Sequence, residues 1–166
     1  THGSVANRHN NHPLFNESGI LAHNGMVTPD KVETGAKGET DSEQILLHIQ
    51  RFGWDGIKKI QGSLSIAYVD FVEVNTLYLY ASGSPLVISH KRGMFLACST
   101  HDILRRSTGF NGTPLRQGTV FGIREDKMSE VARVSPTRGW YREFSFYPAE
   151  TTEFSQRDWE KLLRYY

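Results

Sequence analysis

The stretch Gly19-Ile20-Leu21-Ala22-His23-Asn24-Gly25-Met26-Val27 (GILAHNGMV) poses the question on which the fold turns. An apolar run of strand character stops at His23-Asn24-Gly25. Asn-Gly is the most favoured pair for a two-residue type I′ hairpin, and such a hairpin needs a second strand directly after it. The next residues, MVTPDKVETGAKGETD from Met26 to Asp41, are polar and include Pro29, Gly35 and Gly38. Only Met26 and Val27 can extend a strand before Pro29 interrupts it. The hairpin is weakened, and a functional corner at the end of a Gly19–Val27 strand stands as the alternative.

On the N-terminal side, THGSVANRHNNHPLFNES (Thr1 to Ser18) is polar, rich in Asn and His, and reads as loop. On the C-terminal side the strongest signal is ETDSEQILLHIQRFG. Thr40 followed three residues later by Glu43 predicts a capping box. Ile45, Leu46, Ile49 and Phe52 recur at helical spacing, and Gly53 is placed to end the helix. Trp54 to Ile60 predicts a second short helix. From Ser63 the texture changes to short runs rich in β-branched and aromatic residues: SLSIAYVDF, TLYLYAS, PLVISH and GMFLACS. The first has apolar groups on both alternating faces, which predicts a central strand covered on both sides. Thr100 to Ser107 reads as a short helix and GTVFGIRE as a later strand. Ser155 is placed to cap a last helix with Trp159, Leu162, Leu163 and Tyr166 on one face. The expectation is one α+β domain over residues 1–166 on a mainly antiparallel sheet, with residues 140–166 as a C-terminal extension carrying a short helix.

Composition excludes several classes. The chain has 166 residues, 38% hydrophobic and 22% charged, as in a globular domain with a sizeable core. A net charge of +1 gives no general attraction to nucleic acid or to an anionic membrane. The apolar runs are strand-sized, so no membrane span is expected. A lone cysteine, Cys98, cannot form an internal disulfide, and no signal peptide opens the chain. A reducing, cytoplasmic setting is the default expectation. The sequence begins Thr1-His2-Gly3, without an initiator methionine.

His2, His9, His12 and His23 crowd the start of the chain, but no cysteine pair or HExxH-type motif accompanies them, and no metal is expected. Cys98 with His101 could suggest a thiol and its base. Cys98 ends the apolar run MFLAC, however, and reads as a small hydrophobe. Thr1 opens a polar loop rather than a strand leading into a core, which argues against an N-terminal threonine nucleophile. No phosphate-binding or dinucleotide-binding glycine motif is present, so no cofactor is expected. Asp41, in the first turn of the predicted helix, has two readings. Its carboxylate stabilises the helix start, worth roughly 0.3–1 kcal/mol, or it is a poised anion for a ligand ammonium group.

Taken in order, THGSVANRHNNHPLF, GILAHNGMV, GETDSEQIL, GSLSIAYVD and SGSPLVIS resemble the class II glutamine amidotransferase domain, the glutaminase module of glucosamine-6-phosphate synthase and its relatives. The resemblance covers about Thr1 to Glu125. It implies the four-layer α/β/β/α sandwich of N-terminal nucleophile hydrolases. It further implies that Asn24 and Gly25 form an oxyanion hole, through the Asn side-chain amide and the Gly backbone N–H. Asp41 would hold the α-ammonium of L-glutamine, and Thr1 and His2 would line the glutamine pocket. The implied reaction is thiolate attack on the side-chain amide, giving a γ-glutamyl thioester and ammonia, then glutamate.

The departures shape the expectation. The family nucleophile is an N-terminal cysteine on a segment preceding the THG motif, and an arginine shortly before the threonine grips the glutamine carboxylate. Neither lies in residues 1–166. Val5 replaces the family proline of the first motif, and Asn11 replaces an alanine. The chain alone is expected not to hydrolyse glutamine. The ammonia acceptor would lie on an acceptor-domain or synthetase partner chain, and the sequence does not decide whether the protein is a homo-oligomer. The rival expectation is a catalytically inactive relative serving as a ligand-binding or assembly module. The aromatic tail WYREFSFYPAETTEFSQRDWEKLLRYY fits a core or an interface alike.

Overall fold

The chain does not turn at Asn24-Gly25. In a computed structural model, which describes residues 3–30, 33, 35–73 and 75–135, strand β2 (Gly19–Pro29) runs straight through that pair. It aligns antiparallel with β3 (Ile60–Asp70) over its whole length, Asn24 opposite Ser65 and Gly25 opposite Leu64. The strand is longer than expected and reaches Pro29 before it stops. Glycine is required in the middle of this pairing. Gly25 has φ of +144°, and a Cβ there would lie 2.0 Å from the Ser63 carbonyl oxygen. Gly62 repeats the pattern from the partner strand, with φ of +120° and a Cβ position 2.3 Å from the Met26 oxygen. The two backbones thus approach across a pair of glycines, closer than side chains would allow.

Before β2, the expected loop contains a two-residue strand, β1 (Leu14–Phe15), which pairs with Ile20 and Leu21. After it, helix α1 spans Asp41–Phe52, bounded by Thr40 and Gly53 as expected. The cap is only half of a capping box. Thr40 Oγ1 accepts the Glu43 N–H at 3.3 Å, but the Glu43 carboxylate accepts the N–H groups of Lys37 and Gly38 instead of reaching back to Thr40. The segment Gly53–Lys59 is 3₁₀-helical.

Six strands form one sheet in the order β1-β2-β3-β4-β8-β9, where β4 is Thr76–Ser82, β8 is Thr119–Arg124 and β9 is Lys127–Arg133. A second sheet has the order β6-β5-β7, from Met94–Cys98, Val87–Lys91 and Thr113–Pro114. Period-two alternation then builds the layers. Leu64, Ile66 and Tyr68 of β3, with Tyr78 and Tyr80 of β4, pack under Ile45, Leu46 and Ile49 of α1. Leu79, Ala81, Phe121 and Ile123, on the opposite face, pack on Ile88 of the second sheet. Helix α2 (His101–Thr108), capped by Thr100, covers the far side: a Cβ at Gly112 would touch both its Leu104 and Val87 of β5. The order helix, six-stranded sheet, three-stranded sheet, helix is the four-layer sandwich. β3 is central and covered on both faces, as its two-faced apolar pattern predicts.

Strands β1, β7 and β9 are not among the expected elements. The first two are a pair of residues each, and KMSEVAR is an edge strand with one buried side chain, Met128. The expected last helix and the C-terminal extension lie outside the described residues.

Candidate functional site

Asn24-Gly25 sits on an edge of the large sheet that is only partly covered. β1 pairs with β2 at Ile20 and Leu21 alone, so among the described residues the outer edge of β2 beyond Leu21 has no strand beside it. In an antiparallel strand, alternate residues turn their N–H groups toward the same side. The His23 N–H meets His12 Nδ1 at 3.4 Å, and the Val27 N–H meets Asp41 Oδ2 at 2.9 Å. Alternation places the Gly25 N–H on this edge, between those two. The Asn24 side chain lies on the other face of the strand and is exposed.

Asp41 reaches this edge because Thr40 starts α1 beside it. A carboxylate in the first helical turn faces free backbone N–H groups, which favour its charge. It gives one oxygen to Val27, two residues beyond Gly25, while Oδ1 lies 3.5 Å from its neighbour's hydroxyl, Ser42 Oγ. Ser42 is buried and also meets His23 Nδ1 at 2.8 Å and His12 Nε2 at 3.3 Å. The acid form of His23 is disfavoured: burial pushes its pKa from 6.5 down to about 4, with Asp41 opposing the shift and His12 adding to it. Burial likewise lowers His12, against the pull of Asp41.

Two further motifs converge here. Gly3 lies against Asn10 and Glu39, where a Cβ would be 2.4 Å from Asn10 Nδ2 and 2.9 Å from Glu39 Oε2. Glu39 Oε2 accepts the Ser4 N–H and an Asn10 Nδ2 hydrogen, and the Glu39 N–H returns to Asn10 Oδ1 at 2.8 Å. These bonds tie the start of the chain to the start of α1. On the other side of β3, the SGSPL loop docks behind the Asn-Gly pair. Gly83 forms an isolated bridge with Leu64, and Ser65 Oγ donates to the Pro85 carbonyl. Leu64 and Ser65 are the residues opposite Gly25 and Asn24.

Of the predicted site residues, Asp41 meets the β2 edge at Val27, two residues beyond Gly25; Asn24 is exposed on the other face of the strand, and Thr1 and His2 lie outside the described residues. The pairing of His12 and His23 through Ser42 is not an expectation of the sequence. Its one signal there is the crowding of histidines, which points first to metal ligands. Among the described residues no three His, Cys, Asp or Glu side chains converge as a metal site would require. Cys98 is half-buried on β6, in the other sheet, and its thiol donates to the Thr100 carbonyl. No helix among the described residues is long and apolar enough to cross a membrane.

The two stacked antiparallel sheets between helices form the four-layer sandwich of N-terminal nucleophile hydrolases. The chain is similar in sequence to class II glutamine amidotransferases and has their fold. Glutamine–fructose-6-phosphate aminotransferase (isomerizing) of Streptococcus mutans is 32% identical over 127 residues, covering 65% of this chain and 21% of that protein. The enzyme of the same name from Geobacillus kaustophilus is 30% identical over 118 residues, covering 60% and 20%. Among solved structures, glutamine phosphoribosylpyrophosphate amidotransferase from B. subtilis matches with a TM-score of 0.60 at 14% identity, over 79% of this chain and 33% of that one. The chain thus spans about a fifth of the length of the curated relatives it matches. No protein-family model matches it.

Proposed function

We propose that this chain supplies the glutamine-binding and oxyanion-stabilising half of a class II glutaminase site. Asp41 receives the α-ammonium of L-glutamine. The side-chain amide oxygen lies against the Asn24 amide and the Gly25 N–H. Attack on an amide moves negative charge onto that oxygen, and each fixed donor there contributes roughly 2.7–4 kcal/mol to the transition state. The reading is carried by one observation above the rest: the Asp41–Val27 hydrogen bond, which holds a carboxylate beside the open edge at Gly25.

The nucleophile is a cysteine contributed by residues other than 1–166, because Cys98, the one cysteine here, is engaged with Thr100 on the other sheet. Its own α-amine takes the thiol proton, and the thiolate attacks the amide carbon to form a γ-glutamyl thioester. That proton passes to the nitrogen, which leaves as ammonia, and water then hydrolyses the thioester to glutamate. The ammonia passes to an acceptor on a partner domain or chain. Residues 1–166 alone bind glutamine without hydrolysing it.

Calorimetric titration of the chain with L-glutamine tests the binding step, with D-glutamine as control. Saturable binding of the L form that is lost in Asp41→Ala supports the reading. Absence of binding, with the chain folded, overturns it in favour of an assembly module on the same fold.

A further inference from the structure

Ser42 Oγ lies between two imidazoles, and its proton inventory permits few arrangements. A hydroxyl has one hydrogen to give, and a neutral imidazole has one donor and one acceptor nitrogen. His12 Nδ1 faces the backbone N–H of His23 at 3.4 Å and must accept. The His12 hydrogen is therefore on Nε2, which donates to Ser42 Oγ at 3.3 Å. Ser42 then has one hydrogen for either His23 Nδ1 at 2.8 Å or Asp41 Oδ1 at 3.5 Å; the second distance is at the limit of a hydrogen bond, so the hydrogen goes to His23. That leaves the His23 hydrogen on Nε2, an atom buried without a partner among the described residues.

We infer that Ser42 is a positioning residue. The directional chain from His12 Nε2–H through Ser42 O–H to His23 Nδ1 straps the start of α1 to β2 and sets the gap between Asp41 and Asn24-Gly25. Ser42 adjoins Asp41 in the helix, and His23 adjoins Asn24 in the strand, so each end of the strap is one residue from a proposed glutamine contact. The strap rests on the geometry alone; its effect on ligand binding rests on the glutamine reading above.

The test is a long-range ¹H–¹⁵N correlation of the imidazole nitrogens in the ¹⁵N-labelled full chain at pH 7.5, with and without L-glutamine. His12 and His23 should both be neutral, with hydrogen on Nε2 and bare Nδ1. Ser42→Ala should lose the fixed His23 tautomer and weaken glutamine binding about tenfold, the scale of one lost hydrogen bond. Ser42→Thr, which keeps the hydroxyl, should restore both. Hydrogen on His23 Nδ1 in the wild-type chain overturns the strap, and that result needs no variant to fold. Unchanged imidazole signals in Ser42→Ala overturn it as well. The expected tautomers in a chain that binds no glutamine support the strap and overturn the substrate reading instead.

Discussion

The Asp41 carboxylate accepts the Val27 backbone N–H at 2.9 Å, joining the first turn of α1 to β2 two residues beyond Gly25. A charged acceptor is thereby shared between structure and a proposed ligand. Asp41→Ala should reduce unfolding free energy by about 1.5–3 kcal/mol, the range for a hydrogen bond to a charged group, and abolish saturable glutamine binding. Asp41→Asn keeps an acceptor for Val27 and should recover most of the stability but not the binding. Urea unfolding read beside calorimetry separates the two.

Gly25→Ala should destabilise the chain severely. Its Cβ would meet the Ser63 oxygen at 2.0 Å while the backbone holds φ of +144°. Strain and overpacking together predict a loss of about 2–5 kcal/mol. A midpoint within experimental error of wild type would show that the two strands do not approach as described.

Asn24→Ala should behave oppositely. The residue is exposed and its side chain makes no hydrogen bond among the described residues, so stability should stay within about 0.5 kcal/mol of wild type. In a protein that also contains the cysteine-bearing residues, glutamate release should fall by roughly 10²–10³ in kcat with little change in KM. A parallel rise in KM with kcat preserved would place Asn24 in ground-state binding instead.

Acid should loosen the site before it unfolds the rest. In the unfolded chain His23 takes a proton near its ordinary value of 6.5, while in the folded chain burial delays this to about 4. Between those values the unfolded state holds the extra proton, so stability falls as pH drops from about 6.5 to 4 and this group adds no further loss below. His12, lowered for the same reason, acts with the same sign. The His23 contribution is at most about 3 kcal/mol. His23→Gln should flatten the stability profile across that window. An unchanged slope would remove His23 from its cause.

What the sequence determined by itself was local or carried by patterned runs. Thr40 and Gly53 bound α1 because a side-chain acceptor at the first turn and a glycine after the last are decided within a few residues. The two-faced apolar pattern of Leu64 to Phe71 announced a covered central strand, because side chains alternate wherever a strand lies. The order of five short motifs pointed to the fold. Local chemistry misjudged the capping box, since the Lys37 and Gly38 N–H groups compete for Glu43.

Only the tertiary structure decided the rest. Asn-Gly has strong turn propensity, yet here it lies inside an eleven-residue strand, because β3 supplies a continuous partner and Gly62 the room for close approach. β1, β7 and β9 exist because a neighbouring strand offers their backbone groups a ladder; their side chains alone specify little. His12, His23 and Ser42 are far apart in sequence, and nothing local dictates which will share a proton. Their meeting results from closing the chain between β2 and α1. The same closure places Asp41 on the strand edge at Val27, two residues beyond Gly25.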